Sequence, residues 1–257
     1  MFKPRYSILD LLIFCAVVSL VCLFNLRTLL EQRNSLIANS YQSPLAVVKV
    51  AEEAMPDPSQ PIYRAPYEFT QDWFGWNLPV WKSVLGPLAG RANLRYLEVG
   101  LYEGRSALWM LENVLTDPTS HLTGIDLFEG ELKERFFENL RKSGLSERAT
   151  IVSKPSQIAM RELPLESFDI IYIDGSHATA DVLEDALLAY RLLKPEGILI
   201  FDDYRWSGAR YRGPLTRDES SDFPKKAIDA FVLIFTDRFE VLHNSYQLIL
   251  KKQISAP

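Results

Sequence analysis

The stretch that decides the fold is "RYLEVGLYEGRSALWML", which runs from Arg95 to Leu111. It begins as an apolar strand that contains the acidic Glu98. It then passes two glycines, Gly100 and Gly104, and continues with the pattern of a helix. A strand, a glycine turn and a helix in this order are typical of a ligand-binding turn in an α/β protein.

Around this stretch, segments with strand and helix patterns alternate along the chain. Strands are predicted at residues 95–99, 122–127, 149–153, 168–174 and 197–202, and helices between them at 103–115, 132–143, 157–162 and 179–193. This alternation predicts a parallel sheet with helices on both faces. Near the C-terminal end, "FEVLHNS" and "YQLILKK" follow each other without a helix, which predicts an antiparallel hairpin. We therefore expect a doubly wound α/β fold with a seven-stranded, mostly parallel sheet.

The N-terminal part is different in character. Residues 8–26, "ILDLLIFCAVVSLVCLFNL", form an apolar run with the length of one transmembrane helix. A cleaved signal peptide is the alternative, with "IANS" at residues 37–40 as a weak cleavage site. The expected domains are a membrane anchor with a juxtamembrane helix (1–39), a proline-bearing linker (40–66) and a globular domain (67–257).

Charge and cysteine content exclude several classes of protein. The net charge is −5 and no lysine- or arginine-rich block is present, so no nucleic-acid partner is expected. The two cysteines, Cys15 and Cys22, both lie in the apolar run, which leaves neither a disulfide framework nor a zinc-binding spacing.

The glycine turn departs from the dinucleotide-binding pattern G-x-G-x-x-G. Here Tyr102 occupies the position of the second glycine, where its side chain would crowd a pyrophosphate. Asp126 follows Gly104 by 22 residues, the usual distance of a carboxylate that binds ribose hydroxyls. Ribose without pyrophosphate indicates S-adenosylmethionine. The alternative is that the glycines form an ordinary turn and that Asp126 caps a helix.

These features resemble the class I S-adenosylmethionine-dependent methyltransferases. Within this class, the chain is similar to a branch that includes metal-dependent small-molecule O-methyltransferases. The matching segments are "YLEVGLYEGRSAL", "LTGIDLF", "IDGSH" and "FDDY". The resemblance covers about residues 70–252 and implies a Rossmann-like fold. It also implies that Glu98, Gly100 and Gly104 line the methionine end of the cofactor and that Ser106, a further cofactor-binding candidate, sits at the start of the helix. Asp126 would bind the ribose, and Ser156 and Gln157 would lie near the adenine.

Acidic residues end two neighbouring strands of the predicted sheet. Asp174 ends the fourth strand, and Asp202 and Asp203 end the fifth. Crowded carboxylates repel one another unless a cation joins them, and Mg²⁺ binds carboxylate oxygens. The resemblance implies metal ligands at these three positions. The alternative is that the acids cap loops and bind water.

Two further stretches are candidates for the substrate side. His177, with Asp174, is the candidate catalytic group, as a general base or a metal ligand. Its alternative role is to orient the loop that enters the next helix. The stretch "DWFGW" at residues 72–76 is either a lid over the site or part of the core.

The sequence therefore predicts a membrane-anchored methyltransferase that uses S-adenosylmethionine to methylate a hydroxyl oxygen of a small molecule, with Mg²⁺ or another divalent cation as an open question. A nicotinamide-dependent oxidoreductase is one alternative, which Tyr102 and the terminal hairpin disfavour. A catalytically silent, membrane-anchored binding module is another. Because the methyl donor is made in the cytoplasm, we expect the domain on the cytoplasmic side of the membrane.

Overall fold

The structure, a computed structural model, describes residues 62–64, 66–206 and 223–254, together with the single helical residue Thr28. All the elements given below lie in the unit formed by residues 47–257. The strands are β1 (Ile62–Arg64), β2 (Tyr67–Phe69), β3 (Arg95–Val99), β4 (His121–Ile125), β5 (Ala149–Val152), β6 (Phe168–Ile173), β7 (Leu193–Phe201), β8 (Phe239–Asn244) and β9 (Leu248–Lys252). The α-helices are α1 (Leu78–Leu85), α2 (Arg105–Asn113), α3 (Leu132–Ser143), α4 (Ser156–Ala159), α5 (Thr179–Leu192) and α6 (Pro224–Ile234).

Seven of these strands form one sheet in the order β5-β4-β3-β6-β7-β9-β8. The pairs among β3, β4, β5, β6 and β7 are parallel, whereas β9 is antiparallel to both of its neighbours. This confirms the predicted Rossmann-like sheet with an antiparallel terminal hairpin. The chain runs outward from β3 to β5 and starts again at β6, so the strand order reverses between β3 and β6. Sheets of this kind bind ligands at such a switch point.

Alternate residues of the strands face two separate hydrophobic layers. In β3, Tyr96 packs with Trp81 of α1 in one layer, which also contains buried residues of α2 and α3. Leu97 and Val99 face the other layer, together with Phe231 of α6 and buried residues of α5. The central strands are therefore covered on both faces, which is why they are apolar throughout rather than alternating.

Most element ends lie within about two residues of the sequence expectation, and two differences are larger. β7 begins at Leu193, upstream of the predicted start at residue 197. β1 lies in the range 40–66 that the proline content assigned to a linker, and it pairs with β2 as a short antiparallel hairpin. Three residues flanked by Pro61 and Pro66 carry too little pattern to be recognised as a strand.

The expectation of a membrane protein is corrected. Within the described part of the chain, no helix combines the length and the apolar character needed to cross a bilayer. The apolar run at residues 8–26, on which the transmembrane helix and the membrane localisation were based, lies outside the described residues.

Candidate functional site

The turn after β3 packs directly against the end of β6. Gly100 has φ +87°, and a Cβ at this position would lie 2.0 Å from the carbonyl oxygen of Asp174. The Asp174 N–H donates to the carbonyl of Val99 over 2.8 Å, which joins the two strand ends at the switch point. Gly104 has φ +86°, and a Cβ there would lie 2.9 Å from the Phe136 ring. Both glycines are thus required for close packing inside the protein, whatever the turn also binds.

Asp126 follows β4 and holds the glycine turn through backbone hydrogen bonds. Its Oδ2 accepts the N–H groups of Leu101 and Tyr102 over 2.6 and 3.0 Å, and its Oδ1 accepts the N–H of Phe128 over 2.6 Å. Each carboxylate oxygen accepts about two hydrogen bonds. Oδ1 of this half-buried residue therefore keeps one acceptor position, which suits a ribose hydroxyl.

Two exposed apolar side chains lie at the same edge of the sheet as Asp126. Leu127 follows β4 and is 59% exposed, and Ile158 follows β5 on α4 and is 53% exposed. The strands that carry them are parallel neighbours, with Ile125 opposite Val152. Apolar surface beside a carboxylate suits a nucleoside, which presents a flat base next to ribose hydroxyls. The sequence analysis did not single out these two residues, although Leu127 belongs to the quoted "GIDLF" segment.

Ser156 and Gln157, predicted to lie near adenine, begin α4 at this edge and are half-buried. The Ser156 hydroxyl bonds the carboxyl group of Asp185 on α5, and burial raises the pKa of that carboxyl group to about 6. Ser156 thus has a partner inside the protein. Contact of Ser156 and Gln157 with a cofactor stays a prediction.

Glu98 and Ser106 lie beneath the turn rather than at its surface. The Glu98 side chain is fully buried and accepts the hydroxyls of Tyr96, over 2.8 Å, and of Ser106. Burial raises the pKa of Glu98 to about 8. In this structure the pair supports the turn from within, and contact of Glu98 and Ser106 with the cofactor stays a prediction.

The three predicted aspartates come together at the ends of β6 and β7. The Tyr172 hydroxyl lies 2.8 Å from Oδ2 of Asp174 and also contacts Oδ2 of Asp202. Burial and the neighbouring carboxylates raise the pKa of Asp174 well above its usual range, and burial and Asp203 raise the pKa of Asp202 to about 7. A phenol donates only one hydrogen. One of the two carboxyl groups must therefore hold a proton of its own and donate it to the phenol oxygen.

Asp203 bonds His177 instead of its acidic neighbours. Its backbone has φ +54°, a conformation that is uncommon outside glycine. Its Oδ2 lies 2.7 Å from Nε2 of His177, and its Oδ1 accepts the hydroxyl of Tyr246. The Trp206 ring stacks on the imidazole, with 4.7 Å between the ring centroids. His177 is thereby held in one orientation.

The bond to Asp203 decides what His177 can do chemically. A carboxylate only accepts, so Nε2 of the neutral imidazole carries the hydrogen and Nδ1 keeps its lone pair. The side chain is 48% exposed, and the hydrogen bond to Asp203 raises its pKa. The pair therefore has the arrangement of a histidine base oriented by an acid. The cavity beside it is lined by residues of both strand ends: Ile173, Asp174, Gly175, Ser176, His177, Val182, Phe201, Asp202, Asp203 and Pro224.

The predicted metal ligands Asp174, Asp202 and Asp203 do not form a metal-binding arrangement. No three Asp, Glu, His or Cys side chains converge as ligands anywhere in the described ranges. Both oxygens of Asp203 are taken by side-chain donors, and Asp202 accepts the side-chain amide of Gln247 over 2.9 Å and the N–H of Asp203 over 2.7 Å. These donors hold the acids in directions that do not converge on one point, so the described residues do not fit a divalent metal as they stand.

The "DWFGW" stretch divides between the two expected roles. Asp72 is buried, and Phe74 packs edge-on against Trp81 in the core. Trp73 is 46% exposed, and Trp76 lies edge-on to Tyr246 with 6.2 Å between the ring centroids. Buried and exposed side chains therefore alternate within these five positions, and a role of the exposed ones as a lid stays a prediction.

Comparisons with known proteins agree with this fold. Residues 97–204 match the family model of a methyltransferase domain. An uncharacterized protein of Acanthamoeba polyphaga mimivirus is 28% identical over 149 residues, which are 53% of this chain. The chain spans 66% of that viral relative, just under two thirds of its length.

Solved structures of similar fold include three that carry an O-methyltransferase name. One is the O-methyltransferase of Bacillus cereus in complex with S-adenosylhomocysteine (SAH), with 15% identity, coverage of 70% of this chain and 83% of that chain, and a TM-score of 0.52. A Staphylococcus aureus protein, provisionally named a caffeoyl-CoA O-methyltransferase, has 16% identity, coverage of 71% and 85%, and a TM-score of 0.55. A Klebsiella pneumoniae protein, provisionally named an O-methyltransferase, has 18% identity, coverage of 71% and 82%, and a TM-score of 0.54. At these identities the likeness shows the fold.

Proposed function

We propose that this chain, whose domain belongs to the class I S-adenosylmethionine-dependent methyltransferases, transfers the methyl group to a hydroxyl oxygen of a small molecule. The observation that carries the proposal is the His177–Asp203 pair. It lies on the β6 and β7 side of the switch point, across from Asp126, with an accessible imidazole nitrogen beside a cavity. Methylation of a hydroxyl needs such a base, whereas transfer to a thiolate or a neutral amine does not.

The two sides of the switch point have separate tasks in this mechanism. When bound, S-adenosylmethionine supplies a methyl group on a sulfonium and departs as SAH. Asp126 and Leu127 would hold the nucleoside at the β4 end, by a hydrogen bond at Oδ1 and by apolar contact. The Gly100 turn and the end of β6 fix the separation between the two sides, which would place the acceptor beside the methyl donor.

Proton transfer falls to His177. Its Nδ1 takes the hydroxyl proton of the acceptor as the oxygen–methyl bond forms and the methyl–sulfur bond breaks. Asp203 stabilises the imidazolium that results, and Trp206 keeps the ring in place. The proton leaves to water when the product departs, so the base returns to its neutral state.

A divalent cation is not part of this proposal, because Asp202 and Asp203 bond hydrogen donors of the protein and do not converge as metal ligands. A small acceptor is supported by the net charge of −5, which disfavours a nucleic acid.

Calorimetry of the full chain with SAH, and in parallel with NAD, tests the cofactor. We expect binding of SAH and none of NAD. A screen of phenols, alcohols, thiols and amines, with methyl-labelled S-adenosylmethionine, then tests the acceptor. Turnover confined to thiols or amines would reject O-methylation while leaving the family assignment intact.

A further inference from the structure

The connection between β8 and β9, residues 245–247, reaches the acidic end of the site. We propose that Tyr246 and Gln247 are positioning residues, which hold Asp203 and Asp202 in directions that do not converge on a shared divalent cation. The orienting of His177 through Asp203 rests on the proposed function. The exclusion of a cation by these two donors does not.

The pairing register brings these residues together. β7 and β9 are antiparallel, and Phe201 lies opposite Leu248. One step further along each strand, Gln247 donates its side-chain amide to Asp202 over 2.9 Å. One more step brings the Tyr246 hydroxyl to Asp203. Two consecutive acids thus meet two consecutive donors across the strands, which is the geometry in which cross-strand pairs interact.

Each donor is itself fixed by a tryptophan. The Trp81 indole N–H donates to Oε1 of Gln247 over 2.8 Å, and both side chains are buried. With its oxygen engaged in this way, the amide must direct its nitrogen towards Asp202. Tyr246 is packed edge-on against Trp76. The contacts with the two tryptophans therefore fix the orientation of the two side chains that donate hydrogen bonds to the acids.

Three carboxyl groups at one sheet edge need compensation. Neighbouring carboxylates repel each other, and a bound cation is a common remedy. Here Tyr246, Gln247 and His177 supply hydrogens to Asp202 and Asp203, and the Tyr172 hydroxyl bonds Asp174. To share a cation, the acids would have to turn away from these partners and towards one another.

Titration of the full-length protein with Mn²⁺, followed by the electron paramagnetic resonance of the free ion, tests the exclusion of a cation. The variants are Tyr246→Phe and Gln247→Glu. The Gln247→Glu substitution keeps an oxygen that accepts the Trp81 indole N–H, but it replaces the amide group that donates to Asp202 by a carboxylate oxygen. Tyr67→Phe is the matched control, because its hydroxyl bonds Glu112 away from the acids. We expect weak binding to the wild type and the control, and binding at least about tenfold tighter to Gln247→Glu, which adds a carboxylate ligand.

The His177 ring resonance in NMR gives an independent readout. The chain has only three histidines, so the signal can be assigned by substitution. In Tyr246→Phe the Asp203 carboxylate loses a competing donor, so we expect a higher His177 pKa, whereas Tyr67→Phe leaves it unchanged.

Tight one-to-one Mn²⁺ binding by the wild type that is lost in Asp202→Asn would overturn the proposal. An unchanged His177 titration in Tyr246→Phe together with unchanged Mn²⁺ binding in Gln247→Glu would do the same. Failure of the proposed function shows differently, as absent SAH binding while both readouts behave as expected.

Discussion

The edge of the sheet has two halves that meet at Gly100. In the half at β3 and β4, Asp126 bonds backbone N–H groups of the turn that follows the neighbouring parallel strand. In the half at β6 and β7, the acids bond side chains, and one of these, Tyr246, comes from the terminal hairpin. The first half thus needs only two adjacent βα units, whereas the second also depends on the register of the antiparallel hairpin. Binding should therefore depend on the first half and chemistry on the second.

The sharpest test of this division is His177→Ala. Removal of a positioned base lowers turnover by about 10²–10⁴-fold. SAH affinity should stay unchanged, because the residue lies in the second half only. Turnover of an acceptor from the screen and calorimetry with SAH measure the two effects. His121→Ala, at the opposite edge of the sheet, is the control. If His177→Ala lost SAH affinity by the same factor as turnover, binding and chemistry would not be divided between the two halves.

Gly100→Ala tests the point where the halves meet. The added Cβ would collide with the Asp174 carbonyl, and φ +87° is strained for alanine. We expect a loss of about 2–4 kcal/mol in the free energy of unfolding, from overpacking and backbone strain together. Gly144→Ala is the matched control, because φ is +70° there but no atom lies within 4 Å of the added Cβ. Similar losses in the two variants, measured by urea unfolding, would show that the contact between the halves contributes nothing.

Asp126→Ala tests the first half alone. The substitution removes an acceptor for ribose and leaves the N–H groups of Leu101, Tyr102 and Phe128 without their partner. We expect SAH binding to weaken by about 1.5–3 kcal/mol, as for other hydrogen bonds to charged groups, together with a lower melting temperature. Asp117→Ala, a turn residue that bonds Thr119, serves as the control. Unchanged affinity would mean that Asp126 only shapes the turn.

The smallest effect is expected for Glu98→Gln. Glu98 has a folded-state pKa of about 8 against an ordinary value of 4.5. Between these values the unfolded chain loses the proton and the folded one keeps it, so stability falls as pH rises from about 4.5 to 8. Glutamine mimics the protonated carboxyl, so stability at pH 6 should change by less than about 1 kcal/mol. The fall in melting temperature between pH 6 and 8 should become shallower than in the wild type.

The same variant distinguishes two roles of Glu98. If the residue only supports the turn, SAH affinity in Glu98→Gln equals that of the wild type. A loss of about tenfold or more would mean that an ionised Glu98 contacts the cofactor directly, as the resemblance implied.

The comparison of the halves also explains how far sequence analysis could reach. Strand patterns and the run of βα units predicted the sheet, since each unit carries its own apolar periodicity. The positions of Asp126 and of the three acids followed because strand ends align in parallel sheets. The burial of Glu98 did not follow, because an acid at a strand end has the same pattern whether it faces ligand or core.

The partners of the acids were beyond prediction for a different reason. Tyr246 and Gln247 begin the run "YQLILKK", which was recognised only as a strand of the terminal hairpin. Which residue opposes Asp202 depends on the register between β7 and β9. A shift of one residue would exchange the two side chains between the faces of the sheet. Because the register could not be read from the sequence, the hydrogen-bond donors beside the acids were not recognised, and the three acids alone suggested a metal site.

The position of β9 between β7 and β8 has a consequence for how the protein is made. The glycine turn and Asp126 leave the ribosome more than a hundred residues before Gln247, and the parallel part of the sheet can begin to form without the last hairpin. Until that hairpin emerges and inserts, the edge of β7 stays unpaired and Asp202 and Asp203 lack two of their donors. The nascent chain thus completes the glycine turn early and the hydrogen bonds around the acids late, so in a domain interrupted before the hairpin Asp202 and Asp203 would lack the donors that orient them.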